Sequence, residues 1–197
     1  MSMEYMSGRD LAKKSEGEKF SLLQRLRTEK AGKISGEIYH RTQIDLTYNS
    51  NHIEGSRLSK EQTRFIYETR TLESSSEIIR VDDIMETVNH FRCIDYGIDH
   101  AEKRLTEAHI KHLRLLLKAN TSDSDKDWFV VGNYKKQPNE VGGVETVLPK
   151  DVRRRVKSLL SSCDVIGKMN FDDILNFHVE FERIHPFQDG NGRVGRL

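Results

Sequence analysis

Apolar residues recur at helical spacing through most of this chain, and strand-like alternation is confined to one stretch. The clearest pattern passes through Val81, Ile84, Met85, Val88, Phe91 and Ile98, with Asp95 intruding on the apolar face. Ile110, Leu113, Leu116 and Leu117 predict a helix over residues 106–118, and Val152, Val156, Leu159 and Leu160 predict another. Phe171, Ile174, Leu175, His178, Phe181 and Ile184 mark one more, with Asn170 placed to cap it and Asp173 at its third position. Upstream, the spacing predicts helices over residues 34–54, stopped by Gly55, and over residues 59–70, capped by Ser59. A short helix near residues 20–27 interrupts a polar and otherwise mobile N-terminal extension, residues 1–33, and Glu73-Ser74-Ser75-Ser76 reads as a linker. There is no internal repeat. The expected class is mainly α.

The β-rich stretch consists of residues 129–134 and 140–147 on either side of Gln137-Pro138-Asn139, which predicts a hairpin turning at Pro-Asn. From these residues alone, a plain connecting ribbon between helices is the simpler reading.

At 197 residues, with 32% charged and 36% hydrophobic positions, the chain suits one helical domain with an extension. A net charge of +1 gives no electrostatic case for nucleic acid, and Arg153-Arg154-Arg155 reads as a solvated helix face. Cys93 and Cys163 form no Cys-x-x-Cys or Cys-His cluster, which disfavours zinc and disulfide scaffolds. Met1 to Asp10 lacks an apolar signal core and no stretch approaches membrane-spanning length, so a cytoplasmic protein without membrane contact is expected. Asp123-x-Asp125-x-Asp127 opens like a calcium loop, but Trp128 stands where that loop needs glycine. It reads as a polar connector.

The candidate chemistry lies at the end: His185-Pro186-Phe187-Gln188-Asp189-Gly190-Asn191-Gly192-Arg193-Val194-Gly195-Arg196. Pro186 disfavours helical geometry at His185, so the preceding helix should stop with the imidazole at its mouth. Gly190 and Gly192 let a phosphate approach the backbone amides closely, and a new helix is expected near Asn191. Arg193 and Arg196 lie one turn apart, placed to reach one ligand. Imidazole, carboxylate, bare amides and guanidinium groups together suit a metal-bound polyphosphate. Competing readings fail on particular residues. A hairpin at Asn191-Gly192 lacks a following strand, and Arg196-Leu197 replaces the Lys-Ser/Thr of a Walker loop.

This run resembles the signature of Fic domains, His-Pro-Phe-x-(Asp/Glu)-Gly-Asn-(Gly/Lys)-Arg-x-x-Arg, at every specified position. The resemblance implies a helical bundle with a β-hairpin flap, and transfer of AMP from Mg-ATP to a Ser, Thr or Tyr hydroxyl of a target protein. It implies that His185 is the base, that Pro186 and Phe187 shape and anchor the loop, and that Asp189 binds Mg2+. Gly190, Asn191 and Gly192 would form the anion hole, Arg193 would contact the phosphate chain, and Arg196 the γ-phosphate. The flap would be the segment holding Gly132, Tyr134, Val141, Gly142 and Gly143, docking the target as an added strand.

Ser50-Asn51-His52-Ile53-Glu54-Gly55 read alone is the last turn of a helix. It also resembles the inhibitory pattern (Ser/Thr)-x-x-x-Glu-(Gly/Asn) of Fic proteins, with Ser56 where the common spelling continues with Asn. The resemblance implies that Glu54 pairs with Arg196 and withholds it from the γ-phosphate. The expected organisation is an extension (1–33), an inhibitory region (34–58) and a Fic core (59–197), with the core shortened at its C-terminus. Within the enzyme class the alternatives are transfer of UMP or phosphocholine, removal of AMP, and the kinase activity of Doc toxins, which carry Lys where this chain has Gly192. Outside it stands an inactive scaffold that binds nucleotide or a partner. Self-modification and a homodimer are further expectations.

Overall fold

The computed structural model describes residues 21–72, 78–126, 128–162 and 169–197. The linker expected at residues 73–76, most of the N-terminal extension and Cys163 lie outside them. The described residues form eight α-helices and one two-stranded ribbon. The protein is mainly α.

The helices are α1 (Leu22–Gly32), α2 (Ile38–Ile53), α3 (Lys60–Thr69), α4 (Val81–His100), α5 (Glu107–Leu117), α6 (Pro149–Ser162), α7 (Phe171–Ile184) and α8 (Asn191–Gly195). Side-chain caps explain several of their starts. Ser21, Ser59 and Asn170 form capping boxes with Gln24, Gln62 and Asp173, and Thr106 accepts from the His109 amide. The first of these supports a longer helix than the short one expected near residues 20–27. Conversely, α2 starts four residues later than the 34–54 pattern predicts, because Gly36 adopts a φ of +80° and bends the chain first. Its end is built by a Schellman pair: Gly55 N–H donates to His52 O (3.0 Å) and Ser56 N–H to Asn51 O (3.0 Å), with Gly55 at φ +89°. That geometry leaves Glu54 as the capping residue.

The predicted hairpin is corrected. The strands are β1 (Glu140–Val141) and β2 (Val144–Glu145), paired Glu140 with Glu145 and Val141 with Val144. The turn is therefore Gly142-Gly143, both at positive φ, rather than Pro138-Asn139. Gly132 and Tyr134 lie outside the ribbon: Gly132 sits in a turn, and the half-buried Tyr134 ring packs 5.8 Å from that of Phe187. Tertiary packing of Tyr134 outweighs the β propensity of residues 129–134.

Helix α4 is the central element, in contact with α1, α2, α3 and α5. The main core joins Cys93 of α4, Ile110, Leu113 and Leu117 of α5, Val152 and Val156 of α6, Phe181 and Ile184 of α7, and the loop residue Phe187. Asp95, the intrusion on α4, is only half-buried and accepts from Tyr39 Oη (2.7 Å) and Gln43 Nε2 (2.9 Å) of α2. Phe171, Ile174 and Leu175 remain exposed on α7, whereas Phe181 and Ile184 carry its buried face. No helix among the described residues is long and apolar enough to cross a membrane.

His90 on α4 is fully buried, with Nδ1 2.9 Å from Thr47 Oγ1. Burial, with Arg193 and Arg196 nearby, pushes its pKa down to about 3. The folded imidazole therefore stays neutral where the unfolded one gains a proton. Stability is complete above the unfolded pKa of about 6.5 and should fall by roughly 1.4 kcal/mol per pH unit as pH drops from there toward 3. Melting curves recorded at stepped pH check this, and an unchanged melting temperature across that window would contradict it.

Candidate active site

Helix α7 ends on Ile184, and His185 takes left-handed angles (φ +49°, ψ +63°) with its N–H donating to Phe181 O at 3.0 Å. Such a conformation costs a non-glycine residue about 1–3 kcal/mol. Pro186 obstructs the ordinary helical alternative, and burial of Phe187 in the core holds the turn closed. The imidazole thus stands at the helix mouth rather than along its face. Burial pushes the His185 pKa below its ordinary value, and Lys135 adds to that effect. Its Nδ1 lies 3.9 Å from Glu182 Oε2.

The loop that follows is held by its own asparagine. Phe187 N–H donates to Asn191 Oδ1 (2.7 Å), and Asn191 Nδ2 donates back to Phe187 O (2.8 Å). The Asn191 side chain is therefore committed to the loop, and what remains for a ligand is backbone. Asn139 Nδ2 also donates to Phe187 O (3.0 Å), and Lys135 N–H to Pro186 O (2.9 Å), so the segment before the ribbon is fastened to the motif. Gly190 has φ +79° and caps the short α8, where an added Cβ would lie 3.1 Å from Leu117 Cδ2. Only glycine suits that position.

Asp189 is ionised: Lys118 and Arg193 outweigh burial and bring its pKa down to about 2. Its side chain is 42% exposed, against 4% for Arg193. A hard divalent cation such as Mg2+ accepts one carboxylate together with phosphate and water oxygens, so this donor fits one. Arg193 pairs with Glu86 and, at 3.2 Å, with Asp189 Oδ2. Arg196 turns the other way. It donates from Nε to Ser50 Oγ (3.0 Å) and from Nη2 to Ser50 O (3.1 Å) and Glu54 Oε1 (2.6 Å). One-turn spacing in the sequence suggests a shared ligand for the two arginines, yet here different carboxylates engage them.

Glu54 sits where a helix dipole is least favourable to an anion, and the guanidinium of Arg196 offsets that cost. An added Cβ on Gly192 would overlap the Glu54 carboxylate and lie 2.8 Å from Arg196 Nη1. The three residues are in direct contact. The structure thus brings together His185, Asp189, Gly190, Asn191, Gly192, Arg193, Arg196, Ser50 and Glu54. It leaves Val141, Gly142 and Gly143 on the exposed ribbon.

Residues 104–197 match the sequence profile of the Fic/DOC family. That stretch, just under half of the chain, is a Fic-type domain. Over 159 residues the chain is 26% identical to protein adenylyltransferase fic-1 of Caenorhabditis elegans, covering 76% of this chain and 29% of that protein. Over 161 residues it is 29% identical to protein adenylyltransferase Fic of Drosophila melanogaster, covering 76% and 30%. The chain therefore spans less than a third of the length of these curated relatives. The crystal structure of a Fic domain containing signaling protein from Bacteroides thetaiotaomicron superposes with a TM-score of 0.70 at 23% identity, covering 89% of this chain and 69% of that one. The Fic-1 structure from C. elegans gives 0.62 at 20% identity, covering 96% and 52%. These likenesses show the Fic helical fold.

Sequence reasoning missed four residues around the loop: Glu86, Arg114, Lys118 and Glu182. Arg114 Nε donates to Asp189 O at 2.7 Å, from beneath the Phe129 and Phe187 rings. Burial pushes the Glu182 carboxyl above the usual range. The available signal was two basic residues four apart on the apolar side of the 106–118 pattern.

Proposed function

We propose that this Fic protein is an adenylyltransferase, moving AMP from Mg-ATP to a hydroxyl side chain of a target protein, and that Glu54 holds it in check. The reading treats residues 34–58 as regulatory and residues 59–197 as catalytic. One observation carries it: an imidazole, an ionised carboxylate and a glycine-flanked turn stand on a single rigid loop, each placed by a different constraint.

His185, kept neutral by its surroundings, would accept the proton as the target oxygen bonds to the α-phosphorus and pyrophosphate departs. The amides of Gly190, Asn191 and Gly192 would receive the phosphate oxygens. Asp189 would hold Mg2+, which neutralises phosphate charge when bound. Arg193 would steady the phosphate chain. Arg196 would serve the γ-phosphate once released from Ser50 and Glu54. The ribbon, with Val141 and Val144 exposed at 51% and 69%, supports a docking edge for an extended target segment.

The test is mass spectrometry of the Glu54→Gly protein, and of a cell lysate treated with it, after incubation with Mg-ATP, Mg-UTP or CDP-choline. A gain of one adenylyl group, on the protein itself or on a lysate protein, is the expected result. Nucleotide binding without any covalent gain would favour an inert scaffold instead.

A further inference from the structure

Beneath the loop, one ammonium is surrounded by three carboxylates. Lys118 Nζ lies 2.5 Å from Glu86 Oε1 and 2.6 Å from both Asp123 Oδ2 and Asp189 Oδ2, with its side chain 4% exposed. One turn earlier on α5, Arg114 holds the Asp189 carbonyl, so two basic residues grip both ends of the same aspartate. Arg193 takes the second Glu86 oxygen and shares Asp189 Oδ2. Oxygens of Glu86, Asp123 and Asp189 lie within 4.8 Å of one another, close enough to converge on a single divalent cation. Lys118 occupies that focus instead.

Exposure is unequal around the focus. The Asp189 side chain is 42% accessible, whereas those of Glu86 and Asp123 are 12% and 19%. An approaching ion therefore meets one accessible carboxylate, whose Oδ2 Lys118 and Arg193 hold, backed by two more buried ones that cations also engage. Mg2+ retains water readily and is usually bound by one or two carboxylates together with substrate phosphates. A set of three free carboxylates would instead hold a divalent ion unaided.

We propose that Lys118 is a positioning residue: it fixes Asp189 for a metal ion that arrives with nucleotide, and it keeps Glu86 and Asp123 from binding a metal ion alone. This rests on the assignment of Asp189 as a metal-holding residue. The consequence is that metal and nucleotide bind together or not at all.

The test uses Mn2+ as probe, following the paramagnetic resonance signal of the free ion against the full chain. The parent should leave that signal unchanged without nucleotide and, when α,β-methylene ATP is added, diminish it further than the nucleotide alone does. Lys118→Met should take up Mn2+ without nucleotide at least about tenfold more tightly than the parent, a size typical of altered partners around a metal ligand. Adding Asp123→Asn to that variant should remove the uptake. Lys118→Arg, which keeps the charge, should behave as the parent does. Nucleotide-free uptake by the parent as tight as that of Lys118→Met overturns the proposal, as does a well-folded Lys118→Met with no such uptake. If Lys118→Met does not fold, nucleotide-free uptake by the parent or by Lys118→Arg overturns it, and uptake only with nucleotide supports it. These titrations require no group transfer. A chain showing this pattern but no adenylylation keeps the Lys118 role and loses only the transfer reading.

Discussion

Glu54→Gly is expected to raise incorporation of label from α-labelled ATP into the protein and its targets by roughly ten- to a hundredfold. The estimate follows from the contact itself. Arg196 is held by a 2.6 Å charged hydrogen bond to Glu54 and by two further bonds to Ser50. A hydrogen bond to a charged group contributes about 1.5–3 kcal/mol, and each 1.4 kcal/mol is about tenfold in an equilibrium. Removing the carboxylate also removes a negative charge from the place where a γ-phosphate would lie. The fold should tolerate the change, because the Schellman pair that ends α2 is formed by the backbone of Asn51, His52, Gly55 and Ser56. The two measurements are a labelling time course and a melting curve. Equal labelling of variant and parent would remove the inhibitory role of Glu54.

His185→Ala, made in the Glu54→Gly protein, is expected to lower transfer by about 10²–10⁴-fold, the usual worth of a positioned general base. Nucleotide affinity should change little, because Asn191, Arg114 and the buried Phe187 hold the phosphate-facing loop without help from the imidazole. The pKa of His185 is lowered, so the neutral, basic form persists below its ordinary value of about 6.5. The acid limb of the rate profile should accordingly fall below that pH. Initial rates across a pH series, together with equilibrium binding of an unreactive ATP analogue, separate these effects. A variant that transfers at the parent rate would exclude His185 as the base, and one that no longer binds nucleotide would make its role structural.

Local signals in the sequence were reliable guides to local structure. Asn170 and Asp173 form the predicted cap, Gly55 ends α2, and the helix before Pro186 stops on the expected residue. Each depends on backbone chemistry within a few positions. The hairpin was misread because Pro138-Asn139 and Gly142-Gly143 are both turn signals four residues apart. What chose between them was the fastening of Lys135 and Asn139 to the motif loop, a contact spanning about fifty positions. The motif named the residues of the candidate site, while the layer beneath it stayed hidden. Glu86, Arg114 and Lys118 come from α4 and from α5 with its cap, distant in sequence from the loop, and only the place of the two basic residues on an apolar face sets them apart from solvated charges. The meeting of Glu54 with Arg196 was legible only through resemblance, since no spacing rule links positions 142 apart.

The bare α-carbon at position 192 has a consequence for how this chain could change. Glu54 and Arg196 close over it, leaving no room for even a methyl group. The obstructing atoms are the tips of pliable side chains, so an alanine there would displace them before it shifted the backbone. Position 192 is thus a wedge point: Gly192→Ala is expected to part Glu54 from Arg196 while the glutamate itself stays in place.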